Sequence, residues 1–337
     1  MSRAAYIAII CSLLVLGACQ NRQKIGQTPL SRFAIEGVSF VGMPYENKDE
    51  YLQELTDLGI NWISQMPFCF QRNGQAKLYY GSERQWWGEK TSGISITSQL
   101  ARDNQISCLI KPQIWMGGIY TGHMTFSDRE KWKSWEQEYS KYILCYARLA
   151  DSLKCEALCI GTELQPAIEA CPEFWPHLID SIRQIYHGKL TYAANWDEYR
   201  RVPFWKQLDW VGVNAYFPLS DEKTPKTREL IRSWSPIRDA LHQFSDSLGL
   251  PIVFTEIGYK SVDQCAMEPW NPGSKEVNMQ AQKNAYEAFY RSFSNEKSWF
   301  RGYFLWKWFP DRKRTDTHWA NDYTPQSKEA EYWIRNR

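Results

Sequence analysis

Histidine is scarce in this chain, at five in 337 residues, and no two are spaced as H-x-x-x-H. None of the nine cysteines forms a C-x-x-C pair. With no C-x-x-C pair and no paired histidines to complete a zinc site, no metal site is expected, and no cofactor. No G-x-G-x-x-G turn follows the first strand-like run, which removes the dinucleotide-binding form of an α/β sheet. Neither sign of charge accumulates: 40 Lys and Arg stand against 38 Asp and Glu, a formal net charge of +2. The basic residues are dispersed, so the electrostatic footprint of a nucleic-acid binder is missing. There is no internal repeat and no low-complexity tract.

The one long apolar stretch is Ala4–Leu16, behind Arg3, and it is too short to cross a bilayer comfortably. It ends in Leu16-Gly17-Ala18-Cys19, which resembles the bacterial lipobox. The expected organisation is a lipoprotein signal peptide over residues 1–18, then lipidated Cys19 and a polar linker to residue 33. A single folded domain over 34–337 follows. This predicts a lipid-anchored protein of the bacterial cell envelope, facing the periplasm or the surface, and monomeric. Gln20 and Asn21 lack an Asp retention cue, which points to the outer membrane.

Apolar residues make up 43% of the chain, enough for a large core. Tryptophan is the excess, at 17 where average usage gives roughly 4 to 5. Most of these indoles serve packing, but flat aromatic faces also suit the C–H faces of sugar rings. Seven cysteines lie beyond the leader. Cys108, Cys145 and Cys159 fall in apolar runs and read as small core residues. Cys69, Cys171 and Cys265 fall in expected loops and are free to pair in an oxidising compartment.

Eight strand-like runs alternate with helical patterns: Gly37–Val41, Asn61–Gln65, Ser107–Ile114, Ala157–Gly161, Leu190–Ala194, Trp210–Asn214, Ile252–Thr255 and Gly302–Leu305. Their apolar positions are continuous rather than alternating, as in parallel strands covered on both faces. Helical patterns between them include Asp49–Leu58, Asp128–Leu153, Pro172–Tyr186, Arg228–Leu248 and Val277–Phe293. Gly59 and Gly249 punctuate two helix ends. Eight such units predict an α/β fold, a single (β/α)₈ TIM barrel. Long aromatic segments follow the second, third and seventh runs, at residues 68–93, 116–127 and 257–274. Loops on one face of a barrel are where binding residues gather.

Two glutamates end such runs. Glu163 closes Glu156-Ala-Leu-Cys-Ile-Gly-Thr-Glu163, the fourth, and Glu256 closes Pro251-Ile-Val-Phe-Thr-Glu256, the seventh. The carboxyl ends of barrel strands form the face where such barrels keep their chemistry. A lone glutamate there is most often a cap or an ion-pair partner. A pair three units apart faces across the barrel mouth, and paired carboxyls are what cleavage of a glycosidic bond needs. One must stay protonated near neutrality and the other ionised. Glu163 follows an apolar strand and is opposed by Glu256, which raises its pKa. It is the expected acid/base and Glu256 the nucleophile.

The residues around the pair carry a specific resemblance. Ile160-Gly161-Thr162-Glu163-Leu164, Asp209-Trp210-Val211-Gly212-Val213-Asn214-Ala215-Tyr216-Phe217, Phe254-Thr255-Glu256-Ile257-Gly258-Tyr259 and Lys111-Pro112-Gln113 are similar to glycoside hydrolase family 113 over about residues 35–335. The resemblance implies a retaining endo-β-1,4-mannanase that needs no cofactor and takes a polysaccharide or oligosaccharide of the β-mannan class. Thr162 stands where the wider clan of barrel glycosidases usually has Asn, which separates this chain from cellulase-like relatives. Retention further implies carboxyls about 5 to 5.5 Å apart rather than roughly 6.5 to 9.5 Å.

The candidate substrate contacts are Lys111, Gln113, Asn195, Trp196, Asn214, Tyr216 and Trp306. Tyr216 either holds Glu256 or fills core. Trp306, rather than Trp308, is the expected floor under the sugar ring. Asn195 and Trp196 end the fifth run, and Asn195 either contacts hydroxyls or caps a helix begun at Asp197. Lys111 and Gln113 lie two apart on one face; if that face is inward, Lys111 is buried and needs a carboxylate partner. Trp86, Trp87 and Trp115 serve outer subsites or packing. The alternatives to a mannanase are a β-glucanase or exo-β-mannosidase on the same barrel, or a non-catalytic glycan-binding lipoprotein.

Overall fold

Ile35–Phe40 is buried at all six positions, which is possible only where a strand has partners on both edges and cover on both faces. In the computed structural model, which describes residues 32–312 and 319–337, it pairs in parallel with Trp62–Gln65 on one side and Phe300–Trp308 on the other. Between these come Ser107–Ile110, Ala157–Thr162, Lys189–Asn195, Trp210–Asn214 and Ile252–Ile257, each hydrogen-bonded to its chain neighbour, closing an eight-stranded barrel. Gly302 shows how tightly the last strand meets the first. Its φ is +144°, and a Cβ there would sit 1.8 Å from the Ile35 carbonyl oxygen, so only glycine fits.

The barrel floor is packed by Ile35, Leu109, Ala157, Cys159, Ala193, Trp210, Val253 and Phe304, with Trp62 against them. Trp62 meets Trp210 and Phe304 edge-on at centroid separations of 5.9 and 6.2 Å. Outside the strands lie helices α1 (Asp49–Asp57), α2 (Thr91–Asp103), α3 (Arg129–Ser152), α4 (Gln165–Ala170), α5 (Phe174–Arg183), α6 (Thr227–Leu248), α7 (Met279–Phe293) and α8 (Glu329–Asn336). In α3 the buried residues Trp132, Trp135, Tyr139, Tyr142, Ile143, Tyr146, Ala147 and Ala150 recur at helical spacing. Asp128 caps that helix by accepting from the Lys131 N–H at 2.8 Å. Gly249 ends α6 in the left-handed conformation, φ +66°. No described helix is long and apolar enough to cross a membrane. The leader, Cys19 and nearly all of the linker lie outside the described residues.

Three expectations need correction. The third run does not continue to Ile114: the barrel strand stops at Ile110. Pro112 supplies no N–H for a ladder, and Gln113–Trp115 leaves to join Phe68–Gln71 and Leu78–Tyr79 in a separate three-stranded sheet. The segment 68–93 is therefore not one loop, because it holds two of those strands and the start of α2. Its apolar pattern is weak, and α2 buries Gly93, Thr97, Ser98 and Ala101 beside a lone Ile94. Finally, all seven described cysteines are free. Cys69, Cys171 and Cys265 are buried in separate surroundings: beside Tyr142, beside Arg129, and near Tyr259 and Tyr286. Burial pushes the thiols of Cys171 and Cys265 up to about 12, keeping both in the unreactive form.

Candidate active site

Glu163 follows the last residue of the fourth barrel strand and has a φ of +54°. For a side chain with a Cβ, that left-handed conformation costs roughly 1–2 kcal/mol. It persists because both flanking amides are held: the Glu163 N–H by the Ala193 carbonyl at 2.9 Å, and the Leu164 N–H by the Tyr192 hydroxyl at 2.7 Å. Backbone strain of this kind clusters at active sites.

Glu256 is the fifth residue of the seventh strand and is buried. The Lys111 ammonium donates to its Oε1, joined by the Gln113 amide at 3.5 Å. The Tyr216 hydroxyl donates to its Oε2 at 2.7 Å. Donors thus reach both oxygens, which is the environment of an acceptor-only carboxylate. Burial, and then the charge of Glu256, holds the Tyr216 phenol well above its ordinary range, so it stays a donor. Lys111 has no exposed surface; the face it shares with Gln113 is the inward one, Glu256 is its carboxylate partner, and it supports Glu256 rather than reaching a sugar.

Asn214 ties the two carboxyls together. Its Nδ2 donates to Glu163 Oε1 at 2.8 Å, while its Oδ1 accepts from the Thr255 hydroxyl at 2.9 Å and from Lys111 Nζ at 3.5 Å. Two donors on one side fix which way the amide points. It is fully buried, so it bridges protein groups instead of lining a cavity. The two glutamates sit in different surroundings. Glu163 is raised from 4.5 to about 7, first by burial and second by the charge of Glu256, against the lowering effect of the Asn214 bond and Lys111. That carboxyl is equipped to carry a proton near neutrality, beside one surrounded by donors.

Both open on one cavity of about 220 Å³, lined also by Gln113, Ile114, Ile119, Tyr120, Thr121, Thr162 and Trp306. Trp306 is the outward member of its pair; Trp308 is 2% exposed. The Trp306–Lys307 peptide is cis. Trp306 also lines a broader pocket of about 710 Å³, bordered by Lys260, Lys307, Asp322 and Tyr323. Among the described residues no cluster of His, Cys, Asp or Glu could hold a metal ion.

Asn195 and Trp196 do not line the cavity of the two glutamates. The Asn195 amide donates to the Tyr120 hydroxyl at 3.3 Å and its Oδ1 accepts from the Trp196 N–H at 3.0 Å. No α-helix begins at Asp197, so the capping alternative fails. Trp196 stacks on Trp270 at 5.5 Å. Sequence reasoning missed Tyr120 and Ile119, although their segment stood out as long and aromatic, and it missed Thr255, adjacent to Glu256. Trp86 and Trp115 face a different groove.

Residues 43–328 match the model of Glycoside Hydrolase Family 113. Among solved structures, a β-mannanase of that family from Alicyclobacillus acidocaldarius, in complex with ManMIm, superposes with a TM-score of 0.78 at 23% identity, over 91% of this chain and 97% of that one. A β-1,4-mannanase of the same family gives a TM-score of 0.76 at 22% identity, over 90% and 98%. A family 5 mannosidase from Rhizomucor miehei is more distant, with a TM-score of 0.58 and 12% identity over 91% and 92%. No curated protein matches the chain significantly. The family match spans most of the chain, the barrel is the one those structures share, and the site holds the carboxyl pair: the chain belongs to Glycoside Hydrolase Family 113 and is a glycoside hydrolase.

Proposed function

We propose that this glycoside hydrolase cleaves β-1,4-mannosidic bonds in mannan or manno-oligosaccharides, with retention of configuration. The observation that carries the reading is the unequal treatment of two glutamates on one cavity: Glu163 raised to about 7, and Glu256 bonded to Lys111 and Tyr216. The solved relatives named as β-mannanases support the choice of sugar. In the first step Glu256 attacks the anomeric carbon while Glu163 gives its proton to the leaving oxygen. In the second, Glu163 takes a proton from water, and the hydroxide displaces Glu256. Tyr216 and Lys111 keep the nucleophile aimed, Asn214 couples the two carboxyls, and Trp306 forms the floor under the ring.

The test is a product time course on linear β-mannan, β-glucan and manno-oligosaccharides, with Glu256→Gln alongside. Mannan cut to a mixture of oligosaccharides, with the β-anomer appearing first by NMR and the variant folded but inactive, is the expected result. Release of single sugars only would replace the endo reading with an exo-β-mannosidase. Cleavage of glucan alone would replace the sugar. Binding without cleavage would leave a glycan-binding lipoprotein.

For location, Leu16-Gly17-Ala18-Cys19 supports processing before Cys19 and lipidation of its thiol, with a monomeric barrel tethered to the outer membrane. Labelled fatty acid incorporated into the parent and lost in Cys19→Ser is the expected outcome. Equal labelling of both would remove the anchor.

A further inference from the structure

The three-stranded sheet outside the barrel has one buried face and one open face. Phe68 pairs with Gln113, Phe70 with Trp115, and Phe70 with Tyr79. Directly paired residues share a face, so Phe68, Phe70, Tyr79, Gln113 and Trp115 lie together, with Cys69, Gln71 and Leu78 turned into the protein. Four of the eleven exposed large hydrophobic residues among those described (Phe70, Tyr79, Trp86 and Trp115) line a single groove of about 700 Å³. Trp115 is the most exposed of the four, at 57%. Scattered exposed aromatics are ordinary, but their concentration in one concave groove is not.

Two observations say what the groove takes. The first is continuity: Gln113, on the same sheet face, reaches Glu256 and lines the catalytic cavity. Trp115 lies two residues further along that strand, roughly 7 Å away. A linear chain leaving the cavity beside Gln113 would therefore run onto Trp115 and Phe70, whose rings are 5.9 Å apart. The second is the rim. Ser82, Arg84, Gln85 and Glu89 border the aromatic floor, and Arg84 has no hydrogen-bond or ion-pair partner among the described residues. Flat apolar faces below and the Arg84 guanidinium at the side suit a pyranose, which is apolar on its ring faces and hydroxylated at its edge.

We propose that this groove is a glycan-binding extension of the catalytic cleft, holding the part of a β-linked hexopyranose chain that continues past the reacting sugar on the Gln113 side. It rests on the reading of the site as a polysaccharide hydrolase and adds where the chain lies. It makes chain length, rather than the reacting sugar alone, a determinant of turnover.

The experiment compares the parent with Trp115→Ala and Phe70→Ala. Binding of mannohexaose, β-mannan and β-glucan is measured by calorimetry in a Glu256→Gln background, where ligand survives. Turnover of a short aryl β-mannoside is measured in proteins with Glu256 intact, and melting temperature in all. The expected result is roughly tenfold weaker binding of the long ligands, unchanged melting, and aryl glycoside turnover within about twofold of the parent. Unchanged affinity in both variants overturns the proposal, as does equal loss on short and long substrates. A parent dimer that Trp115→Ala dissolves overturns it in favour of a second copy. Binding of glucan but not mannan, lost in the variants, would keep the groove and overturn the sugar assignment. A parent that binds no glycan overturns both.

Discussion

Glu163 carries its proton through a pH range in which an ordinary glutamate has lost it, and this has consequences for both stability and rate. The folded carboxyl is raised from 4.5 to about 7. Below about 4.5 it is protonated in folded and unfolded chains alike. Between 4.5 and 7 the unfolded chain gives up the proton and the folded one keeps it, so the stability tied to this group is present at low pH and lost as pH rises through 7. Urea unfolding of parent and Glu163→Gln at pH 5 and pH 8 should show the variant gaining on the parent by on the order of 2 kcal/mol at the higher pH. The parent's kcat/KM should fall on the alkaline side with a midpoint near pH 7, because the leaving oxygen then lacks its donor. Tyr216 acts on the other carboxyl. Tyr216→Phe removes one donor from Glu256 Oε2, and kcat should drop roughly 10- to 100-fold with little change in KM. A variant with full kcat would return Tyr216 to the role of core filler. The position of Tyr216 is legible in the sequence as a strand end; its bond is not, because Glu256 lies 40 residues away.

At the scale of elements, α3 and the small sheet depend on each other. Trp135 of α3 is fully buried, stacks on Tyr139 at 4.6 Å, and donates its indole N–H to the Gln71 side chain at 3.3 Å. Gln71 belongs to the strand that carries Phe68 and Phe70. Trp135→Ala should cost about 3–5 kcal/mol in denaturant unfolding and, by freeing Gln71, also weaken binding of long glycans. A loss of stability without a loss of binding would show that the sheet holds itself. The sequence announces α3 through its recurring aromatics. It hides the sheet, because Leu78–Tyr79 is two residues long and Gln113–Trp115 three, too short for any periodicity to register.

For the whole molecule, chemistry and closure sit at opposite ends of the barrel. At the amino end of the first strand, the Glu36 carboxylate is buried and paired with Arg337 and Arg32, and the Arg337 guanidinium lies 4.4 Å from the Tyr290 ring centroid. The contact joins the first strand to residues after α8 across a separation of 301 positions. Arg337→Ala leaves a buried carboxylate short of its main partner and should lower stability by about 3–5 kcal/mol. At a temperature where the variant remains folded, kcat should match the parent, since Glu163 and Glu256 lie at the other face. A variant with normal melting would show that Arg32 alone satisfies Glu36.

The barrel is legible because each parallel strand must be covered on both faces, and that requirement writes a continuous apolar run into local sequence. The two glutamates are legible for a related reason, since a charge at the end of such a run has few structural uses. For Lys111 the spacing to Gln113 gives only a shared face; that the face is inward, with Glu256 as the carboxylate partner, comes from the structure. What only the tertiary structure decided is the company these residues keep. Asn214 reaches Glu163 across 51 positions and Lys111 reaches Glu256 across 145. Trp306 rather than Trp308 faces the cavity, and Cys69, Cys171 and Cys265, expected in loops, are buried apart and free instead of pairing. Local pattern determines which residues leave water and at what period; closing the barrel determines which of them meet, and the chemistry of the site depends on those meetings.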